Sequence, residues 1–576
     1  MNPPAHTRLK NFQAFLFAIL LVVSGCQKQS TISQPEVPAV EALVQHSAEF
    51  QRQVIQVDSQ IYVAIGYGLA NSIMITGADG RIIIDAMESM NAAEEVRAAF
   101  DSINASPIRG LIYTHHHSDH ILGAKAFVED TSKVKVISHE SLPFYMDRVV
   151  SVIRPIIEKR AYRMFGNFLD DEGRINAGIG SRLRVGPEET FSMVRPNVMF
   201  GDSMKMTIAG IELVFFHAPG ETMDQLMVWM PSTQTLFCGD NFYRAFPNLY
   251  TIRGTSYRDV NLWKHSLDHM RRLKPTQLVP SHSQPKIGQE KIFQALTDYR
   301  DAIQYVHDQT VRWMNQGLTP NEIAHKVILP PHLAEKPYLK EFYGKMSWSV
   351  KSVFDGYMGH FDGNATTLQP LARDQHAARM VDLAGGKEEY LQRIQEGLDG
   401  ADFQWVLELT DHLLVIDPAN EAARIARIAA LRELAERESN PNARHYYLTE
   451  ALEWEGLALK AMVKPTEEMA HQVPLARIFE SLAVRLVPER CLDVEMAVEF
   501  RFPDIDETWS VQIRKGVSEY QPFGLKQPEV IVTVDSDVWK EIAAGLRNGP
   551  GAFLGGDIQI EGGVMDFRTF MGYFDR

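Results

Sequence analysis

The sequence predicts a mixed α/β domain first, a helical region second and an α+β domain last. Three observations carry that reading. Short β-branched runs such as Arg81-Ile82-Ile83-Ile84-Asp85 alternate with a helical pattern in the first half of the chain, which is the signature of sheets layered against helices. From about Gly288 the apolar residues fall at helical spacing instead. Beyond Leu475 strand-like runs return among helices, as in Ala497–Phe502 and Glu529–Val534. At 576 residues the chain exceeds one hydrophobic core and is expected to hold roughly two to four domains.

The N-terminus reads as a targeting segment. Arg8 and Lys10 precede an uncharged run, Ala14 to Val23. That run is shorter than the ~20 residues a membrane-spanning helix needs, and suits a signal peptide. Its end, Val23-Ser24-Gly25-Cys26, resembles the lipobox of bacterial lipoproteins. The resemblance implies cleavage before Cys26, lipidation of its thiol, and a mature chain attached to a membrane. The expected location is periplasmic or outer-membrane in a Gram-negative bacterium, and periplasmic without lipidation. Residues 27–50 are polar and proline-containing, which suits a tether. A net charge of −15 with no basic stripe argues against nucleic acid as a partner. Cys238 and Cys491 are too isolated to define a disulfide framework and read as buried core residues.

The catalytic domain is expected over 51–300. Its first strands are Gln60–Ile65, Ser72–Thr76 and Arg81–Asp85, with a hairpin turn at Ala78-Asp79-Gly80. Ala92, Val96, Phe100 and Ile103 mark a helix. The strand Gly110-Leu111-Ile112-Tyr113 then runs into Thr114-His115-His116-His117-Ser118-Asp119-His120. Ligands gather at the carboxyl ends of strands in α/β sheets, and four metal-binding side chains, His115, His117, Asp119 and His120, lie within six positions. Alternate residues of an extended segment point the same way, so His115 and His117 are expected to face one metal while Asp119 and His120 turn towards another. His116 projects elsewhere. Three later strands also run out into ligand-type residues. Ile211–His217 leads to Glu221, Thr235–Cys238 to Asp240, and Gln277–Pro280 to His282.

That order, a Thr-His-x-His-x-Asp-His cluster followed by three strand ends, resembles the metallo-β-lactamase fold. The resemblance implies an αββα sandwich with metals at one rim. Glu221 follows Pro219-Gly220 where most members carry histidine, and this resembles the alkylsulfatase branch. Asn248-Leu249-Tyr250-Thr251-Ile252-Arg253-Gly254 and Phe361-Asp362-Gly363-Asn364 are similar to segments of that family. The family assignment implies two zinc ions per chain, one on His115, His117 and Glu221, the other on Asp119, His120 and His282, with Asp240 bridging. It implies hydrolysis of a detergent-like alkyl sulfate such as dodecyl sulfate to alcohol and inorganic sulfate through a zinc-bound hydroxide. Asp119 and Asp240 are the expected catalytic carboxylates, and Arg253 and Asn248 the expected substrate contacts. Two zinc ions, three carboxylates and a hydroxide sum to a neutral centre, so an arginine is needed to attract sulfate. Arg253 is the expected one, because guanidinium binds oxyanions bidentately and stays charged. Three departures from the family pattern bear on substrate preference: Gly220–Asp224, Asp240 in place of glutamate, and Ser347-Trp348-Ser349-Val350.

The helical region is expected over 301–462. Thr319-Pro320-Asn321-Glu322 is a capping box with proline at the first helical position. Phe342 to Tyr357 carries a wide apolar stripe, and Val406 to Leu459 reads as helical hairpins turning at Ile416–Asn420. In the family this region dimerises, implying a homodimer. Residues 463–576 resemble a sterol-carrier-protein-like domain, which implies a groove for an alkyl chain. Two other readings compete. One keeps the fold but changes the substrate to a lactone, β-lactam or phosphodiester. The other is a non-catalytic lipid-binding lipoprotein.

Overall fold

A computed structural model describes residues 38–150 and 152–575. The signal segment, Cys26 and residues 27–37 of the expected tether therefore lie outside the described residues. The period-two pattern of the first strands is used on both faces. β1 (Gln53–Gln56), β2 (Ile61–Ile65), β3 (Ser72–Thr76), β4 (Arg81–Ile84), β5 (Ile108–Ile112), β6 (Lys135–His139) and β7 (Val198–Phe200) form one sheet in that order. Its early pairs are antiparallel, joined at β3–β4 by the expected hairpin, and its pairs from β4 onward are parallel. A second sheet holds β8 (Ser203–Ile208), β9 (Ile211–His217), β10 (Leu226–Met230), β11 (Thr235–Phe237), β12 (Gln277–Val279) and β13 (Lys286–Ile287), in reverse order across the sheet.

Between the sheets Ile61, Val63, Ile73, Ile75, Ile82 and Ile84 meet Leu213, Phe215, Val228 and Phe237. The alternating residues Met74, Ile83 and Leu111 face outward onto Val96 and Phe100 of the helix Met90–Asp101. On the far side Met227, Leu236 and Leu278 pack under the helices Val260–Leu273 and Gln289–Met314. Each fully buried aliphatic side chain contributes ~1.5–3 kcal/mol. A one-residue slip of β2 would turn Ile61, Val63 and Ile65 away from this core, so the register is strongly specified. The four layers are helix, sheet, sheet, helix, as expected.

Two expected boundaries move. The division at residue 300 falls inside the continuous helix Gln289–Met314. That helix belongs to the outer layer of the sandwich, because its apolar stripe, Ile292, Leu296, Tyr299, Ile303 and Val306, is buried in one cluster with Met227, Leu236 and Leu278 of the second sheet and Trp263 and Leu267 of the neighbouring helix. The last part of the expected tether is ordered as a helix, Ala39–His46. It docks because Leu43 is fully buried and the Leu43 carbonyl accepts a hydrogen bond from Asn176 Nδ2 at 2.8 Å.

The helices Phe403–Ile416, Glu421–Glu436 and Pro441–Trp454 pack in succession. Asn420 caps the second by accepting from the Ala423 N–H. The third lies against the helix Arg154–Phe165, where Arg163 pairs with Glu453 at 2.6 Å. Asn440 donates to the Glu341 and Tyr343 carbonyls at 2.7 and 3.0 Å. The element expected from Phe342 begins at Met346, whose N–H donates to the Glu341 carboxylate at 2.7 Å.

The last domain is a sheet of β14 (Glu495–Phe502), β15 (Glu507–Arg514), β16 (Val517–Gln521), β17 (Val530–Val534) and β18 (Ile558–Gly562), ordered β16-β15-β14-β17-β18 and covered by helices. Its core holds Phe479, Phe500, Trp509, Val532 and Trp539. It is held to the sandwich by Arg195, which donates to the Gln472 carbonyl, and by Lys125 paired with Glu468 at 2.6 Å.

Candidate metal centre

Every ligand-type residue singled out in the sequence arrives at one rim of the sandwich. The loop after β5 brings His115, His117, Asp119 and His120, the β9–β10 turn brings Glu221, the end of β11 brings Asp240, and the end of β12 brings His282. His115 Nε2, His120 Nε2 and His282 Nε2 stand 3.6, 3.6 and 3.1 Å from Asp240 Oδ2. Asp119 Oδ2 lies 3.4 Å from both His120 Nε2 and His282 Nε2. His115 Nε2 faces His117 Nδ1 at 2.9 Å. Three overlapping groups, His115/His120/Asp240, Asp119/His120/His282 and His117/Glu221/Asp240, place their ligand atoms within 4.8 Å of one another. Asp240 belongs to two of them, as a bridging carboxylate must.

The supporting bonds fix which nitrogen of each ring faces the centre. His282 Nδ1 bonds the Leu69 carbonyl at 3.0 Å and His120 Nδ1 bonds Asp85 Oδ2 at 2.8 Å, leaving both Nε2 atoms inward. His120 Nε2, Asp240 Oδ1 and Glu221 Oε2 are buried and have no hydrogen-bond partner among the described residues. Buried polar atoms are rarely left unpaired, and a cluster of such imidazole and carboxylate atoms fits divalent cations such as zinc. Burial pushes the Asp119 carboxyl up, but His120 and His282 outweigh it and bring its pKa to about 2. Burial, reinforced by His120, lowers His115 to about 4. Burial drives His117 well below the usual imidazole range, with His115 and Arg253 adding to the effect. His115, His117 and Asp119 are thereby held in the forms that bind a metal, whereas against burial the Asp119 and Asp240 carboxylates raise His120 and His282, and burial raises Glu221.

Asp85 is a site residue that the sequence analysis passed over. It accepts from the Thr114 N–H, from Ser281 Oγ at 2.6 Å and from His120 at 2.8 Å, tying together the ends of β4, β5 and β12. Its φ of 62° lies in the left-handed region, which Asp tolerates better than most residues. The signal was available, because β4 is an apolar strand that runs out into a carboxylate like the others. Gly239, before Asp240, has φ 56°, and an added Cβ would stand 1.8 Å from Gln225 Nε2. Only glycine fits this turn.

Arg258 is the second omission. Its guanidinium is 2% exposed and pairs with Glu221 Oε1 at 2.8 Å. Its Nη1 also donates to the Asn248 carbonyl, while Nε and Nη2 are buried without a partner among the described residues. Arg253 is half-buried, with Nη2 3.0 Å from His117 Nε2. Asn248 is fully buried and is not among the residues lining the pocket. It supports Arg258 and the Tyr243 hydroxyl through its backbone, and both polar atoms of its side chain lack a partner among the described residues. His116 turns away from the ligand cluster and pairs with buried Asp224 at 2.7 Å.

A pocket of about 330 Å³ opens onto this centre. Its basic side chains are His116, His117, Arg148, Arg160, Arg253 and Arg258, and its one acid is Glu221. Ile153, Ile156, Ile157, Met223 and Tyr257 form an apolar mouth. The arrangement suits an anionic head with an apolar tail.

Three family models match the chain in succession: the metallo-beta-lactamase superfamily over residues 65–282, alkyl sulfatase dimerisation over 319–456, and alkyl sulfatase C-terminal over 464–576. The chain is 36% identical over 524 residues to a linear primary-alkylsulfatase of Pseudomonas sp., covering 87% of this chain and 98% of that protein. It is 28% identical to an (R)-specific secondary-alkylsulfatase of Pseudomonas sp., covering 91% and 80%. Among solved structures, the stereoselective inverting sec-alkylsulfatase Pisa1 from Pseudomonas sp. superposes with a TM-score of 0.86 at 25% identity, covering 93% of this chain and 86% of that one.

Proposed function

Because the chain belongs to the alkylsulfatase family, we propose that it is a dizinc hydrolase cleaving alkyl sulfate esters to alcohol and inorganic sulfate. The observation that carries the substrate class is the pairing of Glu221 with Arg258 beside the half-buried Arg253. Glu221 subtracts a charge from the centre, and Arg258 restores it within the same buried pair. Arg253 then adds a charge that no carboxylate in the pocket balances. A sulfate head meets guanidinium groups that can bind its oxygens bidentately.

His115, His117, Asp119, His120, Glu221, Asp240 and His282 would hold the two metals. When bound, these supply Lewis acidity and make water nucleophilic near neutral pH. The chain's own residues do the rest. Asp85 keeps the His120 ring in the tautomer that leaves Nε2 inward. Arg253 and Arg258 fix the head group, and Ile153, Ile156 and Ile157 take the first part of the alkyl chain and exclude water. Arg253→Ala tests the assignment. Most turnover of dodecyl sulfate is expected to be lost with the metal content unchanged, and near-wild-type turnover would remove Arg253 from this role.

The reading extends to assembly and location. Residues 355–376 are exposed apart from the half-buried Asp362, and they carry Tyr357, Met358 and Leu368 at 53, 62 and 65% exposure. Such a surface favours a second copy of this chain as its cover. The signal-like N-terminus favours an envelope lipoprotein attached through Cys26, which intact-mass measurement of membrane fractions tests.

A further inference from the structure

The pocket over the metal centre carries more positive charge than the single charge of an alkyl sulfate calls for. Glu221 and Arg258 cancel within one buried pair, and His116 is matched by Asp224. Arg148 is exposed, so water screens its charge. Arg160 and Arg253 remain. Both are half-buried and line the pocket, whose one acid, Glu221, is already taken by Arg258.

The two guanidiniums come from different elements and are held beside each other by the backbone. Arg160 projects from the helix Arg154–Phe165, and its Nε and Nη2 donate to the Ile252 carbonyl at 3.1 and 2.6 Å. Ile252 precedes Arg253, so the bonds that orient one guanidinium also fix the loop that carries the other. The loop lies close to the helix, since an added Cβ on Gly254 would stand 3.4 Å from Ile157 Cδ1. Arg253 bonds only the Gly254 carbonyl and the His117 ring, and neither arginine meets a carboxylate among the described residues. Nη1 of Arg160 has no partner among them. Two like charges left facing one half-buried pocket cost free energy that an anion between them recovers.

The charge of the head group changes during the reaction. A sulfate ester carries one negative charge and inorganic sulfate carries two, so the second charge arrives as the ester is cleaved. Two uncompensated guanidiniums match the departing head better than the bound ester, and a contact that strengthens on the way to the transition state raises turnover.

We propose that Arg160 and Arg253 form a site for a dianionic head, in which Arg160 answers the second charge. The site binds an alkyl phosphate monoester more tightly than a monoanionic amphiphile of the same chain length. With a sulfate ester, Arg160 acts on the head as it leaves. That last step rests on the hydrolase reading, whereas the preference for a dianion does not.

Calorimetric titration of the metal-loaded protein tests this at pH ~8, above the second ionisation of a phosphate monoester near ~6. The probes are monodecyl phosphate, with two charges, and decyl methyl phosphate and decanesulfonate, with one each, all kept below their micelle-forming concentrations. The monoester should bind at least tenfold more tightly than either monoanion. Arg160→Gln, which keeps a donor for the Ile252 carbonyl but no charge, should remove most of that preference. Arg160→Lys, which keeps the charge, should retain it. Equal binding of all three probes by the native protein would overturn the proposal, as would a preference that survives Arg160→Gln or is lost equally in both variants. Turnover of dodecyl sulfate tests the second half. In Arg160→Gln kcat should fall at least tenfold while KM changes by less than threefold, and an unchanged kcat would overturn that half. Dianion preference without any sulfate release defeats the hydrolase and spares the site, and sulfate release without the preference does the reverse.

Discussion

The metal pocket and the seam cavity, a space of about 230 Å³ between the sandwich and the last domain, lie on either side of the helix Arg154–Phe165, and they handle positive charge differently. In the pocket the side chains next to the metal ligands are fixed by partners within the fold. Arg258 is held by Glu221, His116 by Asp224, and Arg160 by the Ile252 carbonyl at 2.6 Å. In the seam no acid faces the cavity, and Arg485 has no partner among the described residues. A reacting group must be held to within about 0.5 Å, which requires interlocking supports.

The largest break in this comparison should come from the interlocked side. His120→Ala removes a residue shared by two of the three ligand groups. It should abolish metal binding and lower sulfate release well beyond the ~10–100-fold that a supporting change costs, measured by elemental analysis and ion chromatography. Asp85→Asn is that supporting change and should fall within the ~10–100-fold range for metal affinity. An effect as large as that of His120→Ala would mean that Asp85 is itself a ligand.

Arg258→Met probes the buried pair. It leaves Glu221 buried without its counter-charge, and breaking such a pair costs ~3–5 kcal/mol, to be read from urea unfolding of the metal-free protein. Adding Glu221→Gln should recover part of that stability. Stability unaffected by Arg258→Met would show that Glu221 is satisfied without the arginine.

A smaller effect is expected far from both sites. Burial, against the bond to the Gly178 carbonyl, holds the His46 imidazole at about 4, while an exposed histidine titrates near ~6.5. As the pH falls the undocked state therefore takes up its proton first. Docking of Ala39–His46 is at full strength above about 6.5 and weakens as the pH falls towards about 4. Hydrogen exchange of the helix amides should show this loss. In His46→Phe, where the ring can still stack on Phe342, the pH dependence should flatten.

The sandwich was legible because strand patterning is local. The alternation of Ile61, Val63 and Ile65 with Tyr62 and Ala64 separates the face turned to the second sheet from the face turned to the helix layer. The seven ligand-type residues were legible because each stands where an apolar strand stops. Arg258 carries no such mark. It is one arginine in a loop, and only the three-dimensional approach of that loop to the β9–β10 turn gives it a partner. The seam cavity was invisible for the same reason, since Arg154 and Arg485 are brought together by domain docking. The boundary at 300 was misplaced because a helix that covers a sheet and a helix in a bundle have the same apolar stripe.

The central claim is that this centre binds two metals and uses them on a sulfate ester. The direct measurement is metal content per chain, together with inorganic sulfate released from dodecyl sulfate before and after chelation. Two equivalents of zinc, release of sulfate, and loss of that release when the metal is withdrawn are expected. Two bound metals with no sulfate released would contradict it.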